Sequence, residues 1–255
     1  MMVNGASIKF KSYQETLPKI LDLLKLQREL KKYDKIVIKP FITEESSLSK
    51  EFLEPIIKFC IGNKNPIAEV FIAEGADGKD TAELFDSLGY KQLAEKYHLG
   101  LIDLNNAETE EIEDPEFLKF TYINYPKILK ESFVISVAKT SDNEEYGMNG
   151  ALSGMLGAFP SSKYSGIFSR KKSKIRKWPI KYSIHDIIRC KMPDFSIIDS
   201  SENKVILAGL PVEIEKQAAR TLGKDWRGIP YLKLIDEMLI EKNIEIQKAE
   251  QNILI

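Results

Sequence analysis

The chain has 255 residues, 43% of them hydrophobic and 29% charged, with a formal net charge of −1. That balance fits a soluble globular protein with a sizeable core, and no apolar run approaches the roughly 20 residues a bilayer-crossing helix needs. The start, Met1-Met-Val-Asn-Gly-Ala-Ser7, lacks a basic-then-apolar export pattern, so a cytoplasmic location and no membrane partner are expected.

Short β-branched runs alternate with amphipathic stretches, the pattern of βαβ units around a mostly parallel sheet with helices in flanking layers. Ser7 to Lys11 reads as a strand. Thr16 to Lys32 reads as a helix with Leu17, Ile20, Leu21, Leu24 and Leu30 near a helical period, Thr16 as its cap and Pro18 in its first turn. Lys35 to Lys39 is the next strand, followed by a helix over Ser49 to Ile61, a strand over Ala68 to Ala73, a helix over Thr81 to Tyr97 and a strand over Gly100 to Leu104. Glu108 to Glu116 is acidic and reads as a loop, and Phe133 to Ala138 as a buried strand. Phe195 to Ile198 and Val205 to Leu207 flank a Ser-Ser-Glu-Asn turn, a hairpin signal that allows one antiparallel pair near the C-terminus. Helices over Val212 to Leu222 and Ile229 to Lys242 close a chain expected to form a single α/β domain over 1–255.

Cys60 and Cys190 are far apart and outside any C-x-x-C pattern, which speaks against an iron-sulfur cluster, and nothing points to another cofactor. His98 and His185 lack the spacing of a histidine metal site. No nucleophile elbow, zincin helix, kinase signature or phosphate-binding glycine loop is present, so the common catalytic templates are absent.

In open α/β sheets ligands bind beyond the carboxyl ends of the strands. That rule selects Lys39, Glu74, Gly75 and Asp77, Asp103, Lys139 and Thr140, and Asp199. Lysines among carboxylates suit a phosphate or carboxylate ligand, and Glu74 and Asp199 are the candidates for holding a divalent cation with it. Strand ends are also simply where polar residues surface. Asn149 and Gly150 open a segment, Tyr146 to Pro160, in which Gly147, Gly150, Gly154 and Gly157 would line one face of a helix. Such a face permits tight packing, and the N-terminus of such a helix permits an anion.

From Tyr146 to His185 there is no acidic residue, whereas Lys163, Arg170, Lys171, Lys172, Lys174, Arg176, Lys177 and Lys181 all fall inside. A basic loop or small insertion is expected over 161–182. With Tyr164, Phe168, Trp178 and Tyr182 interleaved, the stretch has the composition of a single-stranded nucleic-acid contact, and equally that of a solvated lysine-rich loop. Contact with RNA or with a protein partner is therefore the alternative to a small anionic ligand.

The order of motifs resembles the domain-of-unknown-function 362 family over nearly the whole chain. The resemblance rests on Val37-Ile-Lys-Pro-Phe41, Glu74-Gly75, Phe85-Asp-Ser-Leu-Gly89, Lys139-Thr-Ser141, Asn149 through Pro160, Ile197-Ile-Asp199 and Leu210-Pro-Val-Glu-Ile-Glu215. It implies functional positions at Lys39, Glu74, Lys139 and Asp199, with Glu215 in place of an aspartate. The chain departs from the family pattern at Phe41 for asparagine, Ser141 for histidine, Ser153 for lysine and Leu210 for aspartate. It also lacks the ferredoxin-like cysteines of some members. Whether it catalyses a reaction is left open by these departures.

Overall fold

The computed structural model describes residues 5–43, 47–166, 169–177 and 179–253. Its strands are β1 (Gly5–Lys9), β2 (Lys35–Pro40), β3 (Glu69–Glu74), β4 (Gly100–Asp103), β5 (Thr109–Glu113), β6 (Tyr122–Pro126), β7 (Phe133–Lys139), β8 (Ser141–Asn143), β9 (Gly147–Asn149), β10 (Phe195–Ser200) and β11 (Val205–Gly209). Among the described residues seven of these form one sheet in the order β1-β11-β10-β7-β2-β3-β4. The five from β10 to β4 are mutually parallel, while β11 runs antiparallel to both β10 and β1. β7 and β10 are buried along almost their whole length, as expected of parallel strands covered on both faces, and their sequences are correspondingly rich in Val and Ile.

Period-two alternation assigns each strand residue to a face. Ile36, Ile38, Ile135, Val137 and Ile197 join one core, beneath α1 (Tyr13–Leu23), α2 (Leu26–Leu30), α3 (Lys50–Asn63), α4 (Thr81–Ser87) and α5 (Tyr90–Tyr97). Val37, Val134, Ala138 and Ile198 join the other, with α6 (Lys127–Glu131), α7 (Ser161–Tyr164), α8 (Ile180–Cys190), α9 (Pro211–Thr221) and α10 (Pro230–Ile253). The expected three-layer α/β architecture is therefore present, as is the antiparallel pair near the C-terminus. No helix among the described residues is long and apolar enough to cross a membrane.

Several local expectations change. The stretch from Thr16 to Lys32 is two helices, because Lys25 adopts left-handed backbone at φ 58°. Ser12 is the N-cap of the first, its Oγ accepting from the Glu15 N–H at 3.3 Å; Thr16 instead turns inward, and Pro18 lies past the first turn. Gly89, at φ 76°, likewise divides the stretch from Thr81 to Tyr97. The acidic stretch after Glu108 contains β5, paired antiparallel with β6 through Ile112 opposite Ile123. Its glutamates mask the strand pattern, since Ile112 is the one apolar residue of β5 while β6 supplies the buried Ile123 and Tyr125.

Candidate functional site

Chain order reverses between β2 and β7: from β2 the sheet grows through β3 to β4 on one side, and through β7 to β10 on the other. Such a switch point leaves a crevice beyond the carboxyl ends. Here the crevice is a pocket of about 340 Å³ whose lining includes Phe41, Glu74, Asp77, Tyr146, Asn149 and Lys172.

At its base Lys39 and Glu74 form a buried ion pair. Lys39 Nζ donates to Glu74 Oε2 at 2.8 Å and to the Gly154 carbonyl at 2.6 Å, and Glu74 Oε1 accepts from the Gly75 N–H at 2.9 Å. Exposure of 0% for Lys39 and 1% for Glu74 leaves no solvent to weaken the pair. The glycine segment wraps over it. A Cβ on Gly157 would stand 1.7 Å from Glu74 Oε1 and 2.7 Å from Lys39 Nζ, so only a bare backbone can pass there.

That segment is not the expected helix with a glycine face. It runs through β9 into a turn and a 3-10 helix over Ser153–Ala158, and its glycines meet different partners. A Cβ on Gly150 would lie 2.3 Å from Glu215 Oε1. The Glu215 carboxylate accepts from Ala151 N–H at 3.0 Å, Leu152 N–H at 3.3 Å and the Tyr231 hydroxyl at 2.6 Å. An anion does sit against these N–H groups, but it is the protein's own. Burial pushes the Glu215 carboxyl up to about 7, against the pull of the Tyr231 and backbone hydrogen bonds. Glu215 thus fastens the segment rather than facing a ligand.

Asn149 lines the pocket and is held in place by β8 and β9. Its Oδ1 accepts from the Tyr146 hydroxyl at 2.6 Å and from Asn143 Nδ2 at 3.2 Å, while its Nδ2 donates to Ser141 Oγ at 2.9 Å. Phe41 contributes an apolar wall, and Ser153 is buried with its Oγ accepting from Gly150 N–H at 2.9 Å.

Lys139 and Asp199 do not join this site. Each continues the parity of the opposite core, Lys139 following Ile135 and Val137 and Asp199 following Ile197. Lys139 pairs with Glu202 at 2.7 Å, and Asp199 accepts from the Tyr13 hydroxyl at 2.7 Å and from Ser201 N–H at 2.9 Å. Thr140 donates its N–H to the Asp199 carbonyl at 3.0 Å, and its buried Oγ1 has no partner. Glu74 and Asp199 stand three strands apart, roughly 14 Å at about 4.8 Å per step, too far to share a cation. Among the described residues no group of His, Cys, Asp and Glu is placed to hold a metal ion.

The basic segment folds back on the rim. Arg176 pairs with Asp77 at 2.7 Å and with Glu145, Arg170 pairs with Asp80 at 3.2 Å, and Lys174 donates to the Lys163 carbonyl. Lys172, expected at the surface, is 1% exposed: its backbone N–H donates to Asp77 Oδ1 at 2.7 Å and its Nζ to the carbonyls of Gly75 at 2.7 Å and Gly157 at 3.3 Å. Burial is the main reason its ammonium is pulled down to about 8, with Lys39 adding to the effect and Glu74 and Asp77 opposing it. A side chain so enclosed cannot reach a polyanion. Tyr164 is also buried, stacked edge-on against Phe159 at 4.8 Å, and Phe168 and Trp178 fall outside the described residues. Lys171, Lys177 and Lys181 stay at or near the surface.

A family model described as domain of unknown function, DUF362, matches residues 22–205. Comparison with curated proteins finds no match. Among solved structures the fold is similar to that of the lactate racemase apoprotein from Thermoanaerobacterium thermosaccharolyticum, with a TM-score of 0.58 and 15% identity, covering 88% of this chain and 58% of that one. The chain thus spans little more than half the length of that neighbour, and at this identity the likeness is one of fold.

Proposed function

Because the chain belongs to the DUF362 family, whose description assigns no reaction, we propose from the site itself that the pocket binds a small anionic molecule bearing a carboxylate or phosphate group. The observation that carries this reading is the charge on Lys172. Other rim cations have acidic partners: Lys39 has Glu74, Arg176 has Asp77 and Glu145, and Arg170 has Asp80. Lys172 reaches only carbonyl oxygens, and Lys171, which also lines the pocket, has no carboxylate partner among the described residues. A buried ammonium without a counter-ion is costly, and an anionic ligand would supply the missing charge. Phe41, Leu156 and Ile175 offer apolar contact for the rest of the molecule.

The test is ligand-induced stabilisation by inorganic phosphate and by lactate, the latter taken from the structural neighbour's name. A saturable rise in Tm is expected in the native protein and is lost in Lys171→Met/Lys172→Met. An undiminished rise in that double variant, at matched ionic strength, removes the pocket as the binding site.

A further inference from the structure

Resting on the anion-binding reading, we propose that Lys172 is a nucleophilic amine and that the pocket takes a 2-oxo acid or similar carbonyl-bearing anion, captured as an imine. The geometry around Nζ carries the idea. An ammonium has three N–H groups, but the described residues present only two acceptors, the carbonyls of Gly75 at 2.7 Å and Gly157 at 3.3 Å. The third position has no acceptor among the described residues, and Lys172 lines the pocket. In the neutral amine the two N–H groups satisfy both carbonyls and the third position is the lone pair.

The neighbouring lysine makes the contrast. Lys39 donates to Glu74 and to the Gly154 carbonyl, whereas among the described residues no carboxylate lies within salt-bridge reach of Lys172 Nζ. Burial of an ammonium that no carboxylate pairs favours release of its proton. The charged groups acting on Lys172 are Glu74, Asp77 and Asp103, which oppose that release, and Lys39, which assists it; burial outweighs all of them. With its acidity near pH 8, about a tenth of the side chain is neutral at pH 7, against roughly one part in 3,000 for an ordinary lysine. Lysines desolvated or set beside a second cation are a recognised source of imine-forming nucleophiles.

The step is balanced without any redox partner. Neutral Nζ attacks the carbonyl carbon, the C–N bond forms and the carbonyl electron pair moves to oxygen. A proton passes from nitrogen to that oxygen, giving a carbinolamine. The hydroxyl then leaves with the second N–H proton as water, and a C=N bond remains. Protonated, the imine keeps one N–H for the Gly75 carbonyl and can accept electron density from the adjacent carbon. Lys171, at the pocket lining one residue away, is placed to receive the acid group.

The experiment incubates the full chain with pyruvate, reduces with sodium borohydride and maps the adducts by peptide mass spectrometry. One reduced adduct at residue 172 is expected. Its early yield should rise several-fold between pH 7 and pH 9 and fall when lactate or phosphate competes. Adducts scattered over exposed lysines, with none at 172, overturn the imine. Because the map is read on the native protein, it does not depend on a variant folding. If lactate or phosphate raises Tm but pyruvate leaves no adduct at 172, the imine falls and the anion pocket stands. If no anion raises Tm, both fall.

Discussion

Lys39 and Glu74 meet across 2.8 Å with neither side chain reaching solvent, and each also holds a backbone group of a neighbouring loop. Removing one member strands a buried charge, so Lys39→Met is expected to cost about 3 to 5 kcal/mol. Replacing both by apolar residues should cost clearly less than the sum of the single changes. A double-mutant cycle in urea with Lys39→Met and Glu74→Leu measures this, and strict additivity would show that the pair does not act as a unit.

Glycine substitutions separate close approach from simple helix propensity. Gly157→Ala has no room beside Glu74 Oε1 and should destabilise by about 1 to 3 kcal/mol while weakening anion binding. Gly62, late in α3 with nothing within 4 Å of a built Cβ, should gain about 0.5 to 1 kcal/mol as alanine. Equal effects at the two sites would contradict the packing described for the segment.

Glu215 carries a pH signature of definite sign. Its carboxyl rises from 4.5 to about 7 on folding, so between those values the native chain holds a proton that the unfolded chain has released. The contribution is full below the lower value and is lost as pH climbs through 7, a fall of about 3 kcal/mol. Urea titrations from pH 4.5 to 8 should show this slope in the native protein and not in Glu215→Gln. Identical slopes would place the titration elsewhere.

Three of the eight cations of the basic segment are withdrawn from a polyanion, since Arg170 and Arg176 are paired and Lys172 is buried. With Lys163, Lys171, Lys174, Lys177 and Lys181 remaining, any binding of single-stranded RNA should show a log-log salt slope no steeper than about −3.5. Titration of a labelled oligonucleotide across ionic strengths checks it. A slope near −5, as the full run of cations would give, would mean that the segment releases its acidic partners.

The sequence made the sheet, its flanking helices and the position of the crevice legible, because apolar runs and the strand-end rule depend on local pattern. The strand-end rule points to Lys39, Glu74 and Gly75, and the glycine segment to Asn149, all of which lie at the crevice. Lys139 and Asp199 instead take partners away from the crevice, Glu202 and Tyr13, and parity alone does not foretell this, since Glu74 follows Val70 and Ile72 by twos and still reaches Lys39. Lys172 was not legible. Inside a run of cations nothing distinguishes the one side chain that turns toward Gly75 and Gly157, because its acceptors are backbone carbonyls 97 and 15 residues away. The bond from Tyr231 to Glu215 is illegible for the same reason, since the two residues meet only where α9 and α10 pack together. The split of the two long helical stretches at Lys25 and Gly89 reflects tertiary demand for a bend, which periodicity does not record.

Glu215 and Tyr231 lie beyond residue 205, where the match to the family ends, yet they secure the loop that walls the crevice. The last fifth of the chain therefore belongs to the frame of the site, supplying β11 to the sheet and α9 and α10 to the core. A version cut after the matched region would carry every rim lysine yet lose the strand between β1 and β10 together with the carboxylate that fastens Ala151 and Leu152.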